Sequence, residues 1–184
     1  MREVFQDQLH EVQDRLVEMA ESVTVIMKDA SSAFINSDVA AADRAIAMAE
    51  ANESKALTLD ELVIRILSRQ SPVSRDLRIL VSALRISASL ERMGALAGHI
   101  AAIARYRFPG SAIPVALKAT FEEMGRLDID LAKKIAKILR STDADEARAI
   151  QAQDERVDQL HRHVFDVVLG ADWTENAIYT VDVT

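Results

Sequence analysis

The chain has no cysteine, which excludes disulfides, thiolate metal ligands and a cysteine nucleophile, and which fits a reducing compartment. Five glycines, three prolines and 4% aromatic residues are too few to build the turns and core of a β-sandwich. No run approaches the ~20 apolar residues of a membrane span, and the charged start MREVFQDQLHEVQDR does not read as a signal peptide. A cytoplasmic protein is expected. No glycine-rich phosphate loop occurs, and His10, His161 and His163 lack the serine or aspartate company of a catalytic triad, so an enzyme is not expected. A net charge of −7 would repel duplex phosphates, so no nucleic-acid partner is expected.

What remains is 49% hydrophobic and 28% charged, in 184 residues rich in helix formers, and this composition predicts an all-α protein. Apolar residues at alternating spacings of four and three set out the helices. Phe5, Leu9, Val12, Leu16, Met19, Val23, Ile26 and Ala30 define a first helix from about Glu3 to Asn36, closed by the turn and cap Asn36, Ser37, Asp38. Ala45, Ala49, Asn52, Ala56, Leu59, Val63 and Ile66 define a second, with Asn52 as a polar intruder, ending near Gln70. Ser71 and Pro72 read as the cap and first residue of a third.

That third helix, to Arg105, carries three faces. Ile79, Ala83, Ile86, Leu90, Met93, Ala97, Ile100 and Ala104 are the expected core seam. A second stripe (Leu77, Val81, Leu84, Ala88, Glu91, Ala95, Gly98, Ala102) shrinks to small residues and predicts close packing against another helix. Arg78, Arg85 and Arg92, seven apart, make a basic outer face that reads either as a docking surface for an acidic partner or as a solvated row paired with Glu50, Glu53 or Asp60. Glu91 has no cation three or four positions away to pair with, so it needs a partner from another helix, a metal or water.

Phe108, Pro109, Gly110, Ser111 and Pro114 form the one mid-chain cluster of breakers, which divides the chain into bundles at 1–108 and 112–184. A fourth helix carries Leu117, Phe121, Met124, Leu127, Leu131, Ile135 and Ile138 to Arg140. A fifth follows the punctuation Ser141, Thr142, Asp143 and carries Ala147, Ile150, Val157, Leu160, Val164 and Val167 to Gly170. Ser37–Leu67 and Thr142–Leu169 form a weak repeat, consistent with a duplicated three-helix unit. Asp172 and Glu175 have the spacing of a capping box, predicting a sixth helix from Trp173 that the chain end cuts short. The second bundle is then expected to lack most of its last helix, baring a groove lined by Phe121, Met124, Leu131, Val157, Leu160 and Val164. Self-association, or exchange of Trp173–Thr184 between chains, would cover it.

The segment SPVSRDLRILVSALRISASLERMGALAGHIA, Ser71 to Ala101, resembles the signature of PhoU-type phosphate-signalling proteins, and DERVDQLHRHVFDVV in the fifth helix extends the likeness. The resemblance implies two tandem three-helix bundles in a cytoplasmic homodimer that acts as a negative regulator in phosphate homeostasis. Its implied partners are the ATPase subunit of the phosphate ABC transporter and a sensor histidine kinase of a two-component system, with peripheral membrane association only through them. It also implies a divalent metal or iron held by an E-x-x-x-D motif, for which Glu91 and His99 are the candidates. Here Ala95 stands at the family's aspartate and His99 at its asparagine, which weakens the site. Two other classes fit parts of the chain. Asp154, Asp158 and His161 resemble half of a ferritin-like di-metal ligand set without its partner carboxylates. A purely structural helical dimerisation module needs only the heptads.

Overall fold

The computed structural model describes residues 2–70, 72, 74–141 and 144–184. Among these residues there are six α-helices and no strand: α1 (Arg2–Asn36), α2 (Val39–Gln70), α3 (Ser74–Arg107), α4 (Lys118–Ser141), α5 (Ala144–Val168) and α6 (Ala177–Val183), with a 3₁₀ turn at Val115–Leu117. The all-α architecture follows from the heptad spacing. Val12, Leu16, Met19, Val23, Ile26 and Ala30 of α1 are all buried, as their spacing requires. Between α1 and α2 the Asp38 carboxylate accepts from the Ala41 backbone N–H at 3.0 Å, capping α2, while Ser37 takes a left-handed φ of 55° to turn the chain. The expected cap at Ser71 and the punctuation at Thr142 and Asp143 lie outside the described residues. Helix α3 begins at Ser74, so Pro72 precedes the helix instead of opening it.

Helices α1 and α3 run parallel in a matched register, Ser87 against Met19 and Gly94 against Ile26, one heptad apart. Helix α2 returns between them. Helix α4 lies antiparallel along α1, with the Gln13 amide donating to the Leu139 carbonyl at 3.0 Å near one end and Gly125 against Ser31 near the other. An added Cβ on Gly125 would stand 2.3 Å from the Ser31 hydroxyl, so glycine is what lets α4 this close. Helix α5 packs back on α4. Two apolar clusters result, and each contains residues from both sides of Pro109: Ala132 and Ala136 join the α1–α3 cluster around Leu59 and Leu80, while Val164, Val168 and Val183 join the one around Ile26 and Phe34.

Three expectations need correction. The seam of α3 is Leu80, Ala83, Ser87, Leu90, Gly94, Ala97, Ala101 and Ala104, all buried, whereas Ile79 and Ile100 remain 42% exposed and Ile86 and Met93 half-buried. The small side chains are inside because α2 approaches closely: a Cβ on Gly98 would lie 2.8 Å from that of Ala49. Second, α6 starts at Ala177, not Trp173. The Asn176 side chain accepts from the Ile178 and Tyr179 N–H groups at 3.0 and 3.1 Å, while the Trp173 indole is held outside the helix by a 2.9 Å bond to the Thr180 hydroxyl. Third, the groove expected between α4 and α5 is covered only in part: Leu131, Leu160 and Val164 are buried, with Val183 of α6 buried beside them, while Phe121, Met124 and Val157 stay half-buried.

Candidate functional site

Apolar surface is also open along the flank of α3. Ile79, Ile86, Met93 and Ile100 recur every seventh residue and form a ridge about 31 Å long at 1.5 Å per residue. Their heptad position is next to the seam, so they face sideways toward α1 and α4 without being enclosed. Two hollows adjoin the ridge. One, of about 720 Å³, has Leu9, Leu16 and Ile138 in its lining and His10, Arg75 and Arg78 at its polar positions. The other, of about 430 Å³, is bounded by Leu96, Phe121 and Met124, by the end of α6 and by two half-buried acids, Asp128 and the Arg107-paired Asp182.

Asp128 makes no hydrogen bond or ion pair with any described residue. Burial, and the nearby charge of Asp154, push its carboxyl up to about 6. The sequence held a signal for this residue: Asp128 falls on the four-three series between Met124 and Leu131, so a lone acid stands in an apolar stripe. The apolar series through Leu127 passes it by.

The basic row is where the heptad puts it. Arg78, Arg85 and Arg92 are exposed on the face of α3 opposite the seam, and none forms an ion pair with Glu50, Glu53, Asp60 or any other described acid. Elsewhere on the same helix arginines do find acids: Arg105 reaches Asp43 at 3.0 Å and Arg107 reaches Asp182 at 2.5 Å.

Glu91 is half-buried on the side of α3 that faces α2, with no hydrogen bond or ion pair to a described residue, and His99 is exposed two turns further on. Eight residues separate them, about 12 Å along the axis, so the helix cannot bring both to one ion. Ala95 between them offers no donor. Among the described residues no three His, Asp or Glu side chains converge as a metal set, and the donors present do not fit a hard divalent cation, which takes six or more oxygens. Asp154, Asp158 and His161 are exposed on α5, where the imidazole is edge-on to the Phe165 ring at 5.1 Å. They do not gather into a di-metal site. Asn52, the polar intruder of α2, is buried: its amide donates to the Leu90 carbonyl at 3.2 Å, and its own carbonyl oxygen has no partner. It pins α2 to α3.

No helix among the described residues is long and apolar enough to cross a membrane. A family model described as "PhoU domain" matches residues 16–104. A Mycobacterium tuberculosis protein named "Phosphate-specific transport system accessory protein PhoU homolog 2" is 36% identical over 184 residues, all of this chain and 86% of that protein. A Mycobacterium leprae protein named as homolog 1 of the same accessory protein is 34% identical over 184 residues, all of this chain and 83% of its own length. A Rhizobium meliloti protein of that name is 27% identical over 169 residues, 90% of this chain and 69% of the relative.

Proposed function

Because the chain belongs to the PhoU family, we propose that it is an accessory regulator of phosphate transport, working as an adaptor and not as a catalyst. In this reading it links the ATPase subunit of the phosphate-specific ABC transporter to a sensor histidine kinase in the cytoplasm, keeping the starvation response off while phosphate is plentiful. The observation that carries it is the alignment of all 184 residues, at 36% identity, with a relative named for the phosphate-specific transport system. The surfaces support an adaptor. The chain offers an arginine row that pairs with no described acid, suited to contact with an acidic protein surface.

The test is genetic and biochemical together. Deleting the gene should switch on a phosphate-starvation reporter in phosphate-rich medium, and the tagged protein should retain the transporter ATPase and the kinase. A silent reporter, with neither protein retained, would overturn the adaptor role; self-association alone would leave a dimerisation module. No metal is assigned to Glu91 in this reading. Iron, manganese and zinc content should be the same in the wild type and in Glu91→Ala, because a single carboxylate cannot hold a hard cation.

A further inference from the structure

A third hollow opens between α1 and α4, on the flank of α4 turned away from Met124, Asp128 and Ile138, which lie about half a turn round the helix from it. It holds about 270 Å³ and is lined by Glu21, Thr24, Lys133, Ala136, Lys137 and Arg140. Three of those six side chains are cations and one is an acid, on a chain whose net charge is −7. The three cations stand at i, i+4 and i+7, so they rise from one face of α4 over about 10 Å. Ala136 is buried in the middle of that face and forms the floor, too small to fill the space that the longer side chains enclose.

Like charges at this spacing repel, and they weaken a helix unless an anion lies among them. The described acids nearby are already engaged. Glu21 pairs with Arg140, and Asp130, three positions before Lys133, pairs with Lys134 at 2.9 Å. Lys133 is exposed and forms no hydrogen bond or ion pair with a described residue; its charge acts on Asp130 only through space. Thr24 adds no donor, because its hydroxyl already donates to the Ala20 carbonyl at 3.0 Å. Recognition in this hollow falls to the α4 cations.

We propose that the hollow binds a phosphate-type oxyanion, either free inorganic phosphate or a phosphoryl group carried by another molecule. A tetrahedral dianion has oxygens on all sides and accepts from several cationic donors at once, whereas a carboxylate offers one planar edge. The two lysines are point charges on flexible stems that can close on one ion. Arg140 keeps donors to spare after its bond to Glu21, since a guanidinium carries five N–H groups. Binding of this kind does not depend on the adaptor role.

Titration of inorganic phosphate into the 184-residue protein at constant ionic strength, followed by two-dimensional amide NMR, tests it. Saturable shifts confined to 20–28 and 130–141 are expected, with a Kd on the order of 1 mM for a hollow this open to water. Lys133→Gln should weaken binding about fivefold and leave the melting temperature unchanged, because its exposed side chain holds no pair. Adding Lys137→Gln should abolish binding. A short phosphoserine peptide is the second probe: tighter binding than inorganic phosphate gives the hollow to a phosphorylated partner, weaker binding to the free ion. The same shifts with chloride at equal ionic strength, no saturation with either probe, or undiminished binding by Lys133→Gln would overturn the proposal.

Discussion

Arg107 and Asp182 form an ion pair of 2.5 Å whose side chains are only 17% and 15% exposed, and it fastens α6 to the end of α3. The guanidinium also lies 5.6 Å from the centroid of the Tyr106 ring and 5.5 Å from that of Tyr179. This clamp and the buried Val183 hold α6 in place.

Asp182→Asn should therefore release α6 before anything else moves. Amide exchange over 177–183 should approach that of an open chain, and stability should fall by about 3 kcal/mol, as expected when one member of a largely buried pair is removed. Unchanged protection in α6 would show that Val183 alone holds it.

Gly98→Val should separate α2 from α3, since even a Cβ would stand 2.8 Å from that of Ala49. A loss of about 2 kcal/mol is expected in urea unfolding, with partial recovery when Ala49→Gly is added. If the double variant is no better than the single, the two positions do not share the strain.

The raised carboxyl of Asp128 gives stability a pH dependence of definite sign. Folded, Asp128 keeps its proton up to about pH 6, because burial and then Asp154 disfavour its charge. Unfolded, it releases the proton near 3.9. Between those values the folded chain binds more protons, so this residue's contribution becomes less favourable as pH rises from 4 to 6. Asp128→Asn should flatten that slope and be the more stable form at pH 7.5 by on the order of 1 kcal/mol, after allowance for the carboxylate's exposed edge. Equal midpoints for both proteins at pH 4.5 and 7.5 would contradict it.

Arg85→Glu should shift stability by no more than about 0.5 kcal/mol, because the side chain is exposed and pairs with no described acid. In the pull-down proposed above, the same change should weaken retention of the partner and reduce its salt dependence. A large drop in melting temperature with retention unchanged would assign the row to internal pairing.

Much of the fold could be read from the chain, for reasons visible in individual residues. Large side chains at four-three spacing, such as Val12 to Ala30, permit one inward face, and an Asp38 three positions before a free N–H can do little but cap. The register of α3 was harder. Its interior is Ser87, Gly94 and Ala101, whose smallness serves a close helix–helix approach, while the larger Ile79 and Ile100 stay outside. Hydrophobicity ranks those residues in the wrong order. The start of α6 misled for a related reason: two acids with capping-box spacing are outcompeted by Asn176, whose advantage appears only once Trp173 has found Thr180. Of the candidate site, the arginine row was legible from its period. Asp128 needed α3 in place, since only the neighbouring helix turns its stripe position into the wall of a hollow.

Helix α1 touches α2, α3 and α4, and this sets an order on synthesis. The ribosome finishes α1 first, but the α4 that covers its remaining flank is complete only about a hundred residues later, at Ser141. At 5–20 residues per second, that flank stays bare for on the order of 10 s. During this interval only α2 and α3 are there to pack on α1, and its α4-facing side, from Gln13 to Ser31, has no partner yet. A trigger-factor-like holdase would find it there, and codon choice across α4 would set the length of the wait.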